Sequence, residues 1–319
     1  RRRNDQHHGR LTAMADGTID LRGAFLPVTT PFDAATGDVD VPAFRSNLGR
    51  WFENPVSGIL ISGSTGESVF LDEEERATLV EAAADVVPQD AKVIAGTGTE
   101  STRHTIRLTR QAAEAGADAV LVSPPAYFKG AMSDEVLTTH FTAVAEASPI
   151  PVLIYQVPLR LSTLEFSTDL IGRLSEHPNI VGIKDSRGQL DLAVELVGAT
   201  SDDFQVLVGS GAILHPAMQG GCVGGIVAVG LMACAEAAGI AAAHAEGRDE
   251  DAAALQARIA PVHQQIVGGM GVPGVKAALD LLGFAGGAPR PPLQAASEDR
   301  IETIRGILQD ADLLAPAGV

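Results

Sequence analysis

The chain has 319 residues, of which 45% are hydrophobic, and its formal net charge is −17. This charge argues against nucleic acid or an anionic membrane as a partner, because both carry negative charge themselves. The two cysteines, Cys222 and Cys234, match no zinc-site spacing and cannot make a disulfide framework, so a reducing compartment is expected. No apolar run is long and uninterrupted enough to span a membrane.

The first residues, "RRRNDQHHGRLTAM", have no apolar segment after their arginines and therefore do not predict a secretory signal. We interpret Met14 as a candidate natural start and residues 1–19 as an N-terminal tail. Asp5 and the short length of the segment count against a mitochondrial presequence. A cytoplasmic location is expected.

Short apolar runs alternate along the chain with amphipathic stretches of helix length, such as 72–87, 101–116 and 132–147. Apolar strands that alternate with helices indicate a parallel sheet covered on both faces. Eight such units predict a (β/α)₈ TIM barrel. An open doubly wound sheet is the alternative, but the first strand leads into "TTPF" rather than a GxGxxG turn. The predicted strands are 23–29, 57–63, 91–98, 117–125, 150–158, 179–186, 204–210 and 224–230.

The pattern becomes purely helical after about residue 231. The stretch 232–247 would be the eighth barrel helix, and further helices are predicted at 249–269, 271–284 and 297–310. The sequence therefore predicts a barrel over 20–247 that carries a C-terminal helical extension over 248–319.

Catalytic residues of such barrels lie at the C-terminal ends of the strands. Here these ends lead into "GSTGES", "SPPAYF", "YQVPLR", "GIKDS" and "GSGA". They bring hydroxyls, a lysine, an arginine and the only two tyrosines of the chain to one rim. The candidate catalytic and binding residues from these segments are Ser64, Thr65, Tyr127, Tyr155, Arg160, Lys184, Ser186, Gly209 and Ser210.

Lys184 interrupts an apolar run at the end of the sixth predicted strand. Partial desolvation at the barrel mouth would lower its pKa from about 10.4, and a neutral amine can form a Schiff base with a ketone. Alternatively, its side chain reaches solvent or pairs with Asp185. Tyr155, on the neighbouring strand, is suited to proton transfer, and the alternative is a core aromatic residue. No HExxH-type ligand cluster is present, so no metal is expected in catalysis.

The motifs "GSTGES", "YQVP" followed by Arg160, and "GIKDS" at successive strand ends resemble the dihydrodipicolinate synthase/N-acetylneuraminate lyase family of class I pyruvate aldolases. The resemblance extends from "GAFLPVTTPF" to "GGAPRPPLQ". It implies a TIM barrel, pyruvate as the 2-oxo acid, no cofactor, and a homotetramer built as a dimer of dimers.

The resemblance also implies a role for individual residues. Lys184 matches the Schiff-base lysine and Tyr155 the proton-shuttling tyrosine. Ser64 and Thr65 match the hydroxyl pair that relays protons and holds the pyruvyl carboxylate. The backbone carbonyl of Ile226 is expected to line the pocket. A further match is Tyr127, which in the family reaches into a neighbouring subunit's site, although "SPPAYF" has one residue more than the usual Thr-Pro-x-Tyr.

Within the family, "HPNIVGIKDSRG", "FQVLVGSGA" and "GTGTESTRHTI" look most like 4-hydroxy-2-oxoglutarate aldolases, which release pyruvate and glyoxylate. That branch tends to lack an arginine at the position of Arg160, whereas the synthases use one there for a carboxylate of the second substrate. The alternatives are therefore a 4-hydroxy-tetrahydrodipicolinate synthase, a 2-keto-3-deoxy sugar acid aldolase or dehydratase, and a catalytically silent binding paralogue. The intact Lys184 and Tyr155 argue against the last of these.

Overall fold

The computed structural model describes residues 19–315. The interpretations of Met14 and Asp5, and nearly all of the predicted tail, concern residues outside this range. All eight predicted strands form, each within or close to its predicted range. They are β1 (Gly23–Pro27), β2 (Gly58–Ile61), β3 (Lys92–Gly96), β4 (Ala119–Val122), β5 (Val152–Gln156), β6 (Ile180–Asp185), β7 (Gln205–Val208) and β8 (Gly224–Ile226).

Helices follow the strands as predicted, and several begin at a capping side chain. Asp72, Ser101 and Ser133 each accept a hydrogen bond from a backbone N–H of the first helical turn. The helices are α1 (Val41–Trp51), α2 (Glu73–Ala84), α3 (Thr102–Glu114), α4 (Asp134–Ala147), α5 (Thr168–Ser175), α6 (Leu190–Ala199), α7 (Leu214–Gln219), α8 (Cys234–Ala245), α9 (Asp249–Val262), α10 (Gly269–Leu281) and α11 (Glu298–Asp310), with a π-helical segment at His263–Gly268.

The eight strands pair in chain order, all parallel, and β8 pairs with β1 to close the sheet. This closure excludes the open doubly wound sheet and confirms the TIM barrel. Glycines at the closing seam, Gly23 and Gly224, lie opposite each other in register. A Cβ atom on Gly224 would lie 2.0 Å from the Gly23 carbonyl oxygen, so the seam requires a residue without a side chain.

Two buried apolar layers result from the alternation of side chains along the strands. The outer layer packs against the helices. The inner layer fills the barrel and includes Phe25, Ile94, Leu153, Leu207 and Ile226. Parallel strands that are buried on both faces explain why the sequence shows continuous apolar runs instead of alternating ones.

The C-terminal helices pack against the barrel through the only tryptophan of the chain. Trp51 Nε1 donates a hydrogen bond to the Leu231 carbonyl over 3.0 Å, and its ring stacks on Phe284 at 5.3 Å between centroids. The predicted boundary between barrel and extension, at 247/248, remains a prediction. None of the helices within residues 19–315 has the length and apolar character that crossing a bilayer requires.

We expect Gly224→Ala to lower the free energy of unfolding by about 1–3 kcal/mol, because the new methyl group would displace the β1 backbone at the seam. Urea unfolding of the purified protein measures this change. Gly306→Ala is the matched control, since a Cβ atom there meets nothing within 4 Å and α11 should gain up to about 1 kcal/mol. Equal effects of the two substitutions would contradict the argument.

Candidate active site

Lys184 and Tyr155 lie opposite each other on neighbouring strands, β6 and β5. Both side chains are buried at the mouth of the barrel, with 5% and 6% of their surface exposed. The Lys184 Nζ lies 4.7 Å from the centroid of the Tyr155 ring. The strand register therefore positions an amine beside a phenol in a largely dry environment.

Burial lowers the pKa of Lys184, and the neighbouring Tyr155 opposes the shift only in part. The suggested ion pair between Lys184 and Asp185 is wrong. The carboxylate of Asp185 accepts hydrogen bonds from the guanidinium of Arg187, including one of 2.8 Å from Nη2. Consecutive residues of a strand point to opposite faces, so the lysine enters the barrel and the aspartate leaves it. Within the described residues, no carboxylate forms a salt bridge with Lys184.

The "GSTGES" loop follows β2 and faces the same space. The Ser64 Oγ lies 3.4 Å from the Tyr155 Oη, at the long end of a hydrogen bond in which either atom can donate. Ser62, just before the loop, and Glu67, within it, adopt left-handed backbone conformations with φ of 53° and 59°. Such strain at non-glycine residues persists only where the surrounding contacts enforce it.

The contacts that hold this loop come from the C-terminal helices. Lys276, on α10, is fully buried, and its Nζ donates to Glu67 Oε1 over 2.8 Å and to the carbonyls of Thr30 and Ala288. The other Glu67 oxygen accepts from the backbone N–H of Arg290. This pair was not predicted, although a lysine inside the apolar pattern "GVKAALDLL" was a usable signal.

A half-buried histidine forms the opposite wall. The Nδ1 of His263 accepts a hydrogen bond from the Gly211 N–H, so its Nε2 carries the proton and donates to Ser210 Oγ over 3.2 Å. Burial and, to a smaller extent, the positive charge of Arg160 together lower the pKa of His263 to about 4. The ring is therefore neutral at neutral pH. No sequence pattern pointed to this residue, because its partners are brought close only by the fold.

Two adjoining cavities, of about 430 and 720 Å³, open at the strand ends. The smaller one contains most of the predicted residues: Ser64, Thr65, Tyr155, Arg160, Lys184, Ser186, Gly209, Ser210 and Ile226. Tyr127 lines only the larger cavity and leaves 81% of its surface exposed. Its backbone N–H donates to Glu100 Oε2 over 2.9 Å. Arg160 lines both cavities, and its Nη2 donates to the Val267 carbonyl over 3.2 Å.

Comparison with known proteins agrees with this geometry. Residues 20–311 match the model of the dihydrodipicolinate synthetase family. A probable mitochondrial 4-hydroxy-2-oxoglutarate aldolase of Emericella nidulans is 37% identical over 287 residues, which cover 89% of this chain and 92% of the relative. A 4-hydroxy-tetrahydrodipicolinate synthase of Syntrophus aciditrophicus is 34% identical and covers 92% of this chain and 99% of the relative.

A solved dihydrodipicolinate synthase from Acinetobacter baumannii, complexed with pyruvate, superposes with a TM-score of 0.87 at 30% identity. The match covers 92% of this chain and all of that one. The chain therefore belongs to the dihydrodipicolinate synthetase family, and it is an enzyme of the class I lyase type that forms a lysine Schiff base. The predicted family and enzyme class are confirmed.

We expect Lys276→Met to cost about 3–5 kcal/mol of folding stability, because it leaves the Glu67 carboxylate buried without its cation. Urea unfolding provides the measurement. In Arg45→Met, the matched control, an exposed pair with Asp85 is lost, and the cost should stay below about 1 kcal/mol.

The double variant Glu67→Gln/Lys276→Met removes both charges and should recover part of the lost stability. If Lys276→Met cost no more than the Arg45 control, the buried pair would not be holding the loop.

Proposed function

We propose that this member of the dihydrodipicolinate synthetase family cleaves 4-hydroxy-2-oxoglutarate to pyruvate and glyoxylate. The observation that carries the proposal is the desolvated Lys184 amine beside Tyr155 at the mouth of the barrel. The name of the Emericella nidulans relative supports the choice of substrate. So do the segments around Lys184 and Ser210 that resemble this branch of the family.

The first half of the mechanism forms the Schiff base. The neutral Lys184 Nζ adds to the 2-oxo carbon, and the resulting carbinolamine loses water to give a protonated imine. Tyr155 donates the proton with which the hydroxyl leaves as water and becomes a phenolate, and Ser64, 3.4 Å from its oxygen, donates a hydrogen bond to that phenolate. Thr65 and the adjacent backbone N–H groups bind the pyruvyl carboxylate. Ser186 and Ser210 complete the polar lining of the smaller cavity.

The second half breaks the carbon–carbon bond. Tyr155 removes the proton of the 4-hydroxyl group, the C3–C4 electron pair moves into the iminium, and glyoxylate leaves. Tyr155 returns that proton to C3 of the remaining enamine, and water then hydrolyses the iminium to release pyruvate and regenerate Lys184. The iminium supplies the electron sink, so the proposed reaction requires no cofactor.

Arg160 is proposed to bind the carboxylate at the end of the substrate beyond the cleaved bond. It lines the cavity that contains Lys184, and one of its nitrogens is held by Val267. A guanidinium favours a second carboxylate over the neutral end of a sugar-derived 2-oxo acid. Aspartate semialdehyde also carries such a carboxylate. The synthase reaction, condensing pyruvate with that aldehyde, is therefore the second candidate, favoured by Arg160 and by the Syntrophus aciditrophicus relative.

We also propose a homotetramer made of two tight dimers, in the cytoplasm. Val69 and Tyr127, which line the larger cavity, leave 82% and 81% of their surfaces exposed. Phe128, whose ring packs edge-on against Tyr127, leaves 72% exposed. Large apolar side chains that are exposed together are typical of an interface, and a second copy would bury them. The two cysteines are free in the structure, which fits a reducing compartment.

Pyruvate and borohydride should add one pyruvyl-derived mass increment, at Lys184. The chain has only four lysines, Lys92, Lys129, Lys184 and Lys276, so peptide mapping distinguishes them. Lys92 and Lys276 are buried too and serve as internal controls, because neither lines the catalytic cavity. If labelling persisted in Lys184→Met, Lys184 would not be the nucleophile.

Arg160→Ala should lower kcat/KM for 4-hydroxy-2-oxoglutarate about ten- to a hundredfold, which corresponds to a charged hydrogen bond of about 1.5–3 kcal/mol. Borohydride trapping of pyruvate should remain intact. Arg173→Ala, which removes an exposed arginine from α5, is the matched control. An equal loss with a neutral-ended 2-oxo-3-deoxy acid would mean that Arg160 supports its loop rather than reading the substrate.

Tyr127→Phe should lower kcat while leaving the assembly intact, because it removes the hydroxyl and keeps the apolar ring. Val69→Asp should weaken the dimer, since it would bury a charge in the interface. Sedimentation velocity and steady-state assays measure both effects. A fully active monomer, or an unchanged kcat in Tyr127→Phe, would refute the contribution of Tyr127 across subunits.

A further inference from the structure

Three metal-ligating side chains meet on the outer surface of the barrel, away from both cavities. They are His215 on α7, His244 on α8 and Asp249 at the start of α9. The His215 Nε2 lies 3.2 Å from Asp249 Oδ1, and the His244 Nδ1 lies 3.8 Å from the same oxygen. The three ligand atoms lie within 4.8 Å of one another.

The hydrogen bonds of this cluster leave one nitrogen unused. The His244 Nδ1 is inaccessible to solvent and has no hydrogen-bond partner, because 3.8 Å to the carboxylate is too long. A buried ring nitrogen without a partner costs free energy unless something binds to it. With bonds of about 2.0–2.1 Å, tetrahedral Zn²⁺ ligands lie about 3.4 Å apart, so small side-chain rotations suffice.

We propose that His215, His244 and Asp249 bind one divalent transition-metal ion, with Zn²⁺ as the best fit. Two imidazoles and a carboxylate suit zinc, and a water molecule completes the tetrahedron. His215 is nearly buried and Asp249 is 57% exposed, so the ion has a solvent-facing entry. The Gln256 Oε1, on α9, accepts from the His215 backbone N–H over 2.9 Å and fixes the inner ligand.

The ion would have a structural function. It would join α7 and α8, which lie on the barrel wall, to α9, the first helix of the C-terminal group. Neither catalysis nor the family motifs require it, because none of the three residues lines the catalytic cavities. No sequence motif indicated the site, since the ligands are 29 and 5 residues apart (215 to 244, and 244 to 249) and match no metal motif.

Zinc binding to the full chain tests the proposal. All proteins compared carry His7→Ala and His8→Ala, which removes the imidazoles of the N-terminal segment. After chelator treatment, calorimetric titration with Zn²⁺ should give one equivalent per chain. His244→Ala and Asp249→Asn should each raise the Kd at least about tenfold. His104→Ala is the matched control, because His104 pairs with only one carboxylate, that of Glu73.

Two readouts make the result decisive. Co²⁺ as a substitute should give the visible absorption of a tetrahedral site in the parent protein and in His104→Ala, and lose it in His244→Ala. Thermal unfolding should shift upward with Zn²⁺ in the same two proteins only. Failure of the parent to bind one equivalent, or unchanged affinity in both His244→Ala and Asp249→Asn, would overturn the proposal.

Discussion

Closure of the barrel by the pairing of β8 with β1 is the constraint on which the active site depends. A closed parallel sheet has no edge, excludes water from its interior and brings all strand C-termini to one rim. Lys184 is therefore desolvated, with no salt bridge to any residue between 19 and 315, and the register of β5 and β6 puts Tyr155 beside it. In an open sheet the same lysine would reach water and stay protonated.

The catalytic loop after β2 depends on a second, smaller constraint. Its left-handed residues Ser62 and Glu67 would relax if nothing held them. The buried ion pair between Glu67 and Lys276 fixes the loop conformation, and it connects the loop to α10 near the far end of the chain. A buried pair of this kind adds little net stability, but it defines one loop conformation, because either charge alone would be costly. The C-terminal helices thus contribute to the site without contributing a reacting group.

The residues proposed for the two ends of the substrate lie on different kinds of structure. Lys184 and Tyr155, proposed for the pyruvyl end, lie on buried strands whose positions are set by the barrel. Arg160, proposed for the far end, is exposed and lies in a loop. Loops tolerate change far better than strands, because few buried contacts constrain them. This explains why relatives with the same fold carry the names of different reactions.

The barrel, and the convergence of Lys184, Tyr155 and Ser64 at one rim, could be predicted from the sequence alone. Strands buried on both faces are continuously apolar, helix caps are local, and a lysine ending such a strand is visible in one chain. Which charged groups pair depended on the tertiary structure. The fold directed Lys184 into the barrel and left Asp185 to pair with Arg187. It also joined Glu67 to Lys276 across 209 residues and placed His263 against Ser210. The last two contacts join distant residues and leave no periodic pattern, because their geometry depends on how the helices pack around the closed barrel.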